Sequence, residues 1–365
     1  MSFITAIATA NPQNRFAQPE IQAFMLKTMT FQNGESKKLK AIFKASGINF
    51  RYSVLADYGK TTDFEFYPEN GNTSPSTRDR LEIFRRTALP LSVDACTKLF
   101  SNAPFIDRQR ITHLIVVSCT GMYAPGLDIE LVNALNLPTT IDRTAINFMG
   151  CYAAFNALKI ADAFCKSDAN AKVLVVCTEL CSLHFQRDAS DDNLLANALF
   201  ADGSAAVLVE AGSESKLKLE LDGFYNDLAR DGGRDMSWNI GDLGFEMKLS
   251  SYVPEIIRHG IASLTGSLLK KFKKSVSEIK HFAIHPGGKK ILEAVEQELR
   301  IAPEKNSAAY KVLRQYGNMS SPTVLFVIAE LMKDMTTEDI DENILSFAFG
   351  PGLTMESMML TIKSV

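Results

Sequence analysis

The sequence predicts an α/β fold made of two similar halves, and three observations carry that expectation. Short β-branched runs alternate with helical patterns along most of the 365 residues, the arrangement that buries partly parallel sheets under helices. The order helix, strand, strand occurs twice, each time after a corner that bears a polar, reactive residue. With 46% apolar residues, the chain is long enough to bury one large core or two medium ones.

In chain order, the patterns predict a helix over Arg80–Leu89, a strand over Thr112–Cys119, a helix over Tyr152–Lys166, and strands over Lys172–Thr178 and Ser204–Glu210. Beyond these come a helix over Val253–Phe272, a strand over His281–His285, helices over Lys289–Leu299 and Pro322–Lys333, and strands over Ile344–Phe349 and Ser357–Ile362. Ser321 suits the cap of the last helix and Pro322 its first position. In the first half a Gly150–Cys151 corner leads into YAAFNALKIADAF, KVLVVCT and the hairpin-like ADGSAAVLVE. In the second, Gly317-Asn318-Met319 leads into PTVLFVIAELMKD, NILSFAFG and MESMMLTI. The division expected from this echo is residues 1–213 and 214–365, with the polar stretch Gly212–Lys216 as the joint.

Charged residues make up 22% of the chain and the formal net charge is -3. That gives no basis for binding nucleic acid or an anionic membrane. The six cysteines (96, 119, 151, 165, 177 and 181) form no CxxC pairs and sit in apolar stretches, which favours reduced thiols in a cytosol. The N-terminus lacks the basic segment of a signal peptide, and no window approaches ~18 uninterrupted apolar residues. A cytoplasmic protein without a membrane span is therefore expected.

Three residues carry the candidate chemistry. Cys151 opens a helix, where backbone N–H groups and the helix dipole should lower a thiol pKa toward the nucleophilic thiolate. His285, followed by Pro286-Gly287-Gly288, falls at the C-terminal end of a strand, where open α/β sheets bind ligands. Asn318 follows a glycine and precedes a helix; a turn role would explain it, as would donation to a carbonyl oxygen. In Ala348-Phe349-Gly350-Pro351-Gly352, Gly350 is placed to bring a backbone N–H near a reacting oxygen. Phe200 reads as core, Cys119 as core or pocket wall, and Cys177 and Cys181 as packed thiols. No metal site is expected: CTELC has no second pair, and His281 and His285 have no accompanying carboxylate.

Taken together, the segments SCTGMYAPGLD, NFMGCYAAFNAL, ALFADGSAAVLV, FAIHPGGKKIL, YGNMSSPTVLF and FAFGPGLTMES resemble those of type III polyketide synthases, the chalcone and stilbene synthase family. The resemblance implies a thiolase-like fold with two duplicated lobes in a five-layered αβαβα arrangement, working as a homodimer. It implies an acyltransferase that loads an acyl-CoA starter on Cys151, extends it by iterative decarboxylative condensation with malonyl-CoA, and cyclises the poly-β-ketone to a pyrone, resorcinol or phloroglucinol-type product. It also implies coenzyme A thioesters as substrates and no permanently bound cofactor. By the same resemblance His285 activates Cys151, His285 and Asn318 stabilise the thioester enolate, and Phe200 gates the cavity. Cys119, Thr120, Ser320, Gly350 and Pro351, with His184, belong to its lining.

The sequence departs from plant members at three places. Met247 stands where they carry a second gatekeeping Phe, Trp238 where they have a small glycine, and Ala348 opens the final loop in place of glycine. Such bulky pockets resemble bacterial members. Of Lys37, Lys38, Lys40 and Lys44, the pair Lys38 and Lys44 is expected to meet the CoA phosphates. The rival readings are a ketoacyl-carrier-protein synthase III-like enzyme that condenses once and a cysteine-dependent thioester hydrolase.

Overall fold

A computed structural model describes residues 1–68, 74–212, 215–233 and 235–364. The first half supplies strands β1 (Phe3–Ala10), β2 (Asn14–Ala17), β3 (Phe50–Ser53), β4 (His113–Ser118), β5 (Asp142–Asn147), β6 (Lys172–Leu180) and β7 (Asp202–Glu210). Its helices are α1 (Gln18–Thr28), α2 (Glu35–Ala45), α3 (Thr77–Asn102), α4 (Leu127–Ala134), α5 (Ala153–Ser167) and α6 (Asp191–Leu199). The second half adds β8 (Leu217–Leu228), β9 (Met236–Gly241), β10 (Gly244–Leu249), β11 (His281–Ile284), β12 (Asn343–Gly350) and β13 (Thr354–Ser364). Its helices are α7 (Val253–Phe272), α8 (Lys289–Leu299), α9 (Ser307–Tyr316) and α10 (Thr323–Asp334).

Nine strands hydrogen-bond in the order β11-β12-β13-β8-β1-β7-β6-β4-β5. The pairing senses repeat across the middle of this sheet. β4 runs parallel to β6, β6 antiparallel to β7, and β7 antiparallel to β1. In the other half β11 runs parallel to β12, β12 antiparallel to β13, and β13 antiparallel to β8. Within the sheet the halves join where Phe3 and Ile4 of β1 pair with Glu220 and Leu219 of β8. Among the described residues β5 has no counterpart, and it forms the outer edge beside β4.

Helices fill three layers. α3 packs on β1, β6 and β7; α5 touches β6 and β7 on one side and β13 on the other; α10 reaches β1, β7 and β11; α7 lies on β8 and β13 and against α8. The order α3, half-sheet, α5 with α10, half-sheet, α7 with α8 is the five-layered thiolase-like arrangement. The middle helices look the part. In α10 all six residues from Thr323 to Ile328 are buried, as expected of a helix apolar on every side. In α5, Ala153, Ala154, Ala157 and Ala161 bring the backbone close to the sheets around a fully buried Phe155, whose burial alone contributes about 2–3 kcal/mol.

Some expectations need correction. The first helix spans Thr77–Asn102 and runs through Pro90, because Ala88, Leu91, Ala95 and Leu99 on its buried face hold it against the sheet across the missing hydrogen bond. Ser321 does not cap α10. Its hydroxyl donates instead to Glu179 at 2.5 Å, Pro322 occupies the N-cap position, and the Thr323 hydroxyl accepts from the Met319 N–H at 2.9 Å. His281 does have a carboxylate beside it, Asp339 at 3.0 Å. The expected joint between lobes includes Ser213 and Glu214, which lie outside the described residues.

Candidate active site

Two corners of strained backbone place the reactive groups. Phe148 and Gly150 both have positive φ, 63° and 84°, in the turn between β5 and α5. A side chain at Gly150 would meet Pro351 Cδ at 2.6 Å, so glycine there lets the thiol corner close on the Phe349–Gly352 loop. The second corner mirrors it, with Gly317 at 72° and Ser320 at 59° on either side of Asn318. Strain of this kind concentrates where the surrounding structure holds a functional geometry.

Cys151, His285 and Asn318 line one narrow cavity together with Cys119, Thr120, Phe200, Trp238, Met247, Ser320 and Pro351. His184 is in the same wall. Gly350 stands just behind: a Cβ there would lie 3.5 Å from the Cys151 nitrogen and 2.5 Å from the Tyr152 ring, so a larger residue would push on the thiol corner. Cys181, expected to be a packed thiol, also faces the cavity.

The Asn318 amide has a defined orientation. Its Oδ1 accepts from the Ser320 N–H at 2.8 Å and the Thr323 hydroxyl at 3.4 Å, leaving Nδ2 with the Gly287 carbonyl at 3.3 Å. With the oxygen occupied, the amide presents donors to the Cys151 thiol, which also meets the Ser320 hydroxyl. His285 is held by its backbone N–H on the Phe347 carbonyl, 2.8 Å away. Both of its ring nitrogens are buried without a hydrogen-bond partner among the described residues. A buried orphan donor is costly and calls for an explanation, and a thioester oxygen entering the cavity would supply its partner.

The electrostatics reverse one expectation. Burial pushes the Cys151 thiol up to about 11, despite the Ser320 and Asn318 hydrogen bonds that pull it down. Burial alone lowers His285 to about 3. Burial therefore favours the neutral form of each group, thiol and uncharged imidazole, because at 7% and 1% exposure the charged forms are desolvated.

Sequence reasoning missed Glu179. It is fully buried and accepts from the Cys119 N–H at 2.9 Å, the Thr120 hydroxyl at 2.8 Å and Ser321, with the Cys119 thiol at 3.3 Å. Burial pushes its carboxyl up while these donors pull it down. The signal was a lone acid inside the apolar strand KVLVVCTEL. Trp238 pairs in register with Met247 across β9 and β10, and its indole N–H donates to the Cys119 carbonyl at 2.6 Å. It also meets His184 edge to face at 5.6 Å. His184 is fully satisfied, with Nε2 donating to the Thr120 carbonyl at 2.7 Å and Nδ1 accepting from the Phe245 N–H at 3.0 Å.

Leu249, Gly287 and Ile291 line both the cavity and an outer groove. Lys38 stands in that groove, paired with Asp191. Lys44 does not; it borders a separate hollow with Lys40 and Phe43, because α2 turns it to the other side. Lys289 and Lys290, at the start of α8, are the groove cations that sequence reasoning overlooked.

A buried thiol, imidazole and carboxamide line one cavity of a thiolase-like fold, a set of groups suited to acyl transfer. The chain belongs to the chalcone and stilbene synthase family: the N-terminal domain of chalcone and stilbene synthases matches residues 1–213 and the C-terminal domain residues 226–365. It is an acyltransferase of the type III polyketide synthase class. A Mycobacterium tuberculosis protein named alpha-pyrone synthesis polyketide synthase-like Pks18 is 30% identical over 99% of this chain and 91% of its own length. The probable polyketide synthase 1 of Dictyostelium discoideum is 31% identical over 98% of this chain, which spans 11% of that protein. Among solved structures, PKS-I of the brown alga Ectocarpus siliculosus superposes with a TM-score of 0.91 at 30% identity over 100% of this chain and 98% of that one. The C-terminal type III polyketide synthase domain of Steely1 from Dictyostelium gives 0.90 at 28% identity, covering 100% and 99%.

Proposed function

We propose that this chain loads an acyl group from a CoA thioester onto Cys151, extends it with malonyl-CoA and cyclises the product, with His285 and Asn318 serving every extension. The observation that carries the reading is that His285, whose two ring nitrogens have no hydrogen-bond partner among the described residues, lines the same cavity as Cys151 and Asn318. In loading, the thiol proton passes to the His285 imidazole as sulfur attacks the thioester carbon and CoA leaves as its thiol. In extension, the malonyl C–C bond to the carboxylate breaks, CO₂ leaves, and the electron pair moves onto the thioester oxygen. Neutral donors aimed at that oxygen in a dry cavity stabilise the enolate without being neutralised by it. The enolate carbon then attacks the Cys151 thioester, freeing the sulfur and lengthening the chain by two carbons.

CoA thioesters are the substrates in this reading and no bound cofactor takes part. Trp238 and Met247 put two bulky side chains into the cavity lining, which, with the name of the mycobacterial relative, supports a short chain closed as an α-pyrone. The working unit is proposed to be a cytoplasmic homodimer, with the unpaired edge of β5 as the place where a second copy would continue the sheet. The test is incubation with acyl-CoA and malonyl-CoA alone, followed by mass spectrometry. Polyketide products are expected, and Trp238→Gly should shift their length or ring type. A strict need for malonyl-carrier protein, or thioester hydrolysis without new carbon–carbon bonds, would reject the reading.

A further inference from the structure

Arg51 is one of the largest fully buried side chains in the protein, at 1% exposure, and lies on β3 outside the cavity lining. Its environment is the C-terminus of α6, where helix carbonyls have no partners of their own. Each is accounted for. Ala196 accepts from the Phe200 N–H at 3.1 Å and Leu199 from the Asn318 N–H at 2.9 Å. Ala198 accepts from Gln18 Nε2 at 2.8 Å. Arg51 Nη1 donates both to the Asn197 carbonyl at 2.8 Å and to the Phe200 carbonyl at 2.6 Å. Its Nε donates to Gln18 Oε1 at 2.9 Å, so Gln18 and Arg51 act as one clamp on the helix end, with a cation where the helix dipole favours one.

The clamp reaches both sides of the active site. Phe200 and Asn318 form an isolated parallel bridge, closed by the Ala201 N–H on the Asn318 carbonyl at 2.8 Å. Gly317, immediately before Asn318, has φ 72° and no room for a side chain: a Cβ would lie 2.9 Å from Arg51 Cγ and 2.9 Å from the Leu199 carbonyl oxygen. The Arg51 stem thus forms the seat on which the Asn318 corner rests, while its guanidinium holds the Phe200 end of the bridge.

We propose that Arg51 is a positioning residue: by gripping the Asn197 and Phe200 carbonyls and backing Gly317, it fixes the Phe200 ring and the Asn318 amide at one spacing across the cavity. Two separate nitrogens are required: Nη1 meets both carbonyls while Nε, a fixed distance away in the same plane, holds Gln18, and Nη2 has no hydrogen-bond partner among the described residues. An ammonium on a flexible stem offers one nitrogen and cannot hold both places at once. The inference rests on the polyketide-synthase reading above, in which Asn318 stabilises the malonyl-derived enolate.

The test measures malonyl-CoA decarboxylation without a starter, per mole of Cys151 titratable in folded protein. With Arg51→Lys, kcat should fall roughly 10- to 100-fold, the scale of a displacement near 1 Å, while KM for malonyl-CoA stays within about twofold. Asn318→Ala sets the floor. A residue that only supports folding would lower the yield of folded enzyme and leave kcat per titratable thiol unchanged, and that result overturns the proposal. Should Arg51→Lys not fold, Gln18→Met loosens the same clamp and is read the same way, with a several-fold loss expected and an unchanged kcat again overturning it. Absence of decarboxylation in the wild-type enzyme would reject the parent reading and this inference with it.

Discussion

The corners at Gly150–Cys151 and at Gly317–Asn318 occupy matching places in the two halves, yet they present opposite chemistries. Both combine a positive-φ glycine with a second strained residue, Phe148 in one and Ser320 in the other, and both open a helix in the middle layer. The first carries an electron donor, the thiol of Cys151. The second carries a hydrogen-bond donor, fixed because Ser320 and Thr323 occupy the Asn318 oxygen. One backbone solution repeated twice thus brings a thiol and an amide donor, the proposed nucleophile and the proposed enolate partner, into contact in a cavity that residues of both halves line.

The most direct way to break this comparison is to disable each corner separately. Cys151→Ala should abolish condensation, a loss of about 10³-fold or more, while malonyl-CoA decarboxylation continues, because the proposed enolate site, His285 with Asn318, does not use the thiol. Asn318→Ala should lose decarboxylation by about 10²- to 10³-fold, the scale of a missing oxyanion donor, while Cys151 still accepts a starter acyl group. Radiolabelled CO₂ release and acyl-enzyme mass measure the two activities. Loss of both in either variant would mean that the corners are not divided in this way.

Much of this site could be read from the chain. Local backbone signals mark the corners: glycine beside a reactive side chain, then a helical pattern. The PG and GG pairs likewise mark the loops near His285 and Gly350. What could not be read depends on long-range packing. The thiol was expected to be acidic from its place before α5, but burial outweighs the helix terminus. Glu179 looks like an error in an apolar strand until the donors of Ser118–Thr120 and Ser321 are folded onto it. Lys44 and Lys290 are equally basic in sequence, and only the tertiary fold shows which one faces the groove. β5 and the β9–β10 hairpin, short and poor in β-branched residues, gave little periodic signal.

Two histidines of the cavity sharpen the contrast between a held group and a waiting one. His184 has both ring nitrogens satisfied, whereas neither nitrogen of His285 is. Burial lowers both to about 3. A depressed histidine pKa contributes stability that is present above the unfolded value of about 6.5 and is lost as pH falls toward 3, at up to about 1.4 kcal/mol per pH unit for each group. Asp202 and Asp222, both raised to about 6, act in the opposite sense over part of that range, so variants must be compared with wild type. In urea unfolding between pH 7 and pH 4, His184→Leu and His285→Leu should each flatten the acid limb by about one proton. At pH 7 they should diverge: His184→Leu destabilises by roughly 1–3 kcal/mol because the Thr120 carbonyl and Phe245 N–H lose their partner, while His285→Leu is neutral or stabilising because it removes two orphaned nitrogens. Equal losses at pH 7 would show that His285 has a partner in solution.

The smallest effect expected concerns which half supplies the charge that meets the CoA phosphates. Lys38, from the first half, is already engaged by Asp191, and Lys44 borders a different hollow. Lys289 and Lys290, from the second half, project at the N-terminus of α8 beside the residues shared by groove and cavity. An exposed lysine near a phosphate acts as a screened point charge, so its removal should alter KM more than kcat and should matter less as salt rises. Lys290→Ala should raise KM for acyl-CoA about two- to fivefold at low ionic strength, with the difference shrinking near 0.5 M salt, whereas Lys44→Ala should leave KM unchanged. The reverse ranking in steady-state kinetics would return the phosphate contact to the first half, and the second half would then contribute to the chemistry but not to holding the carrier.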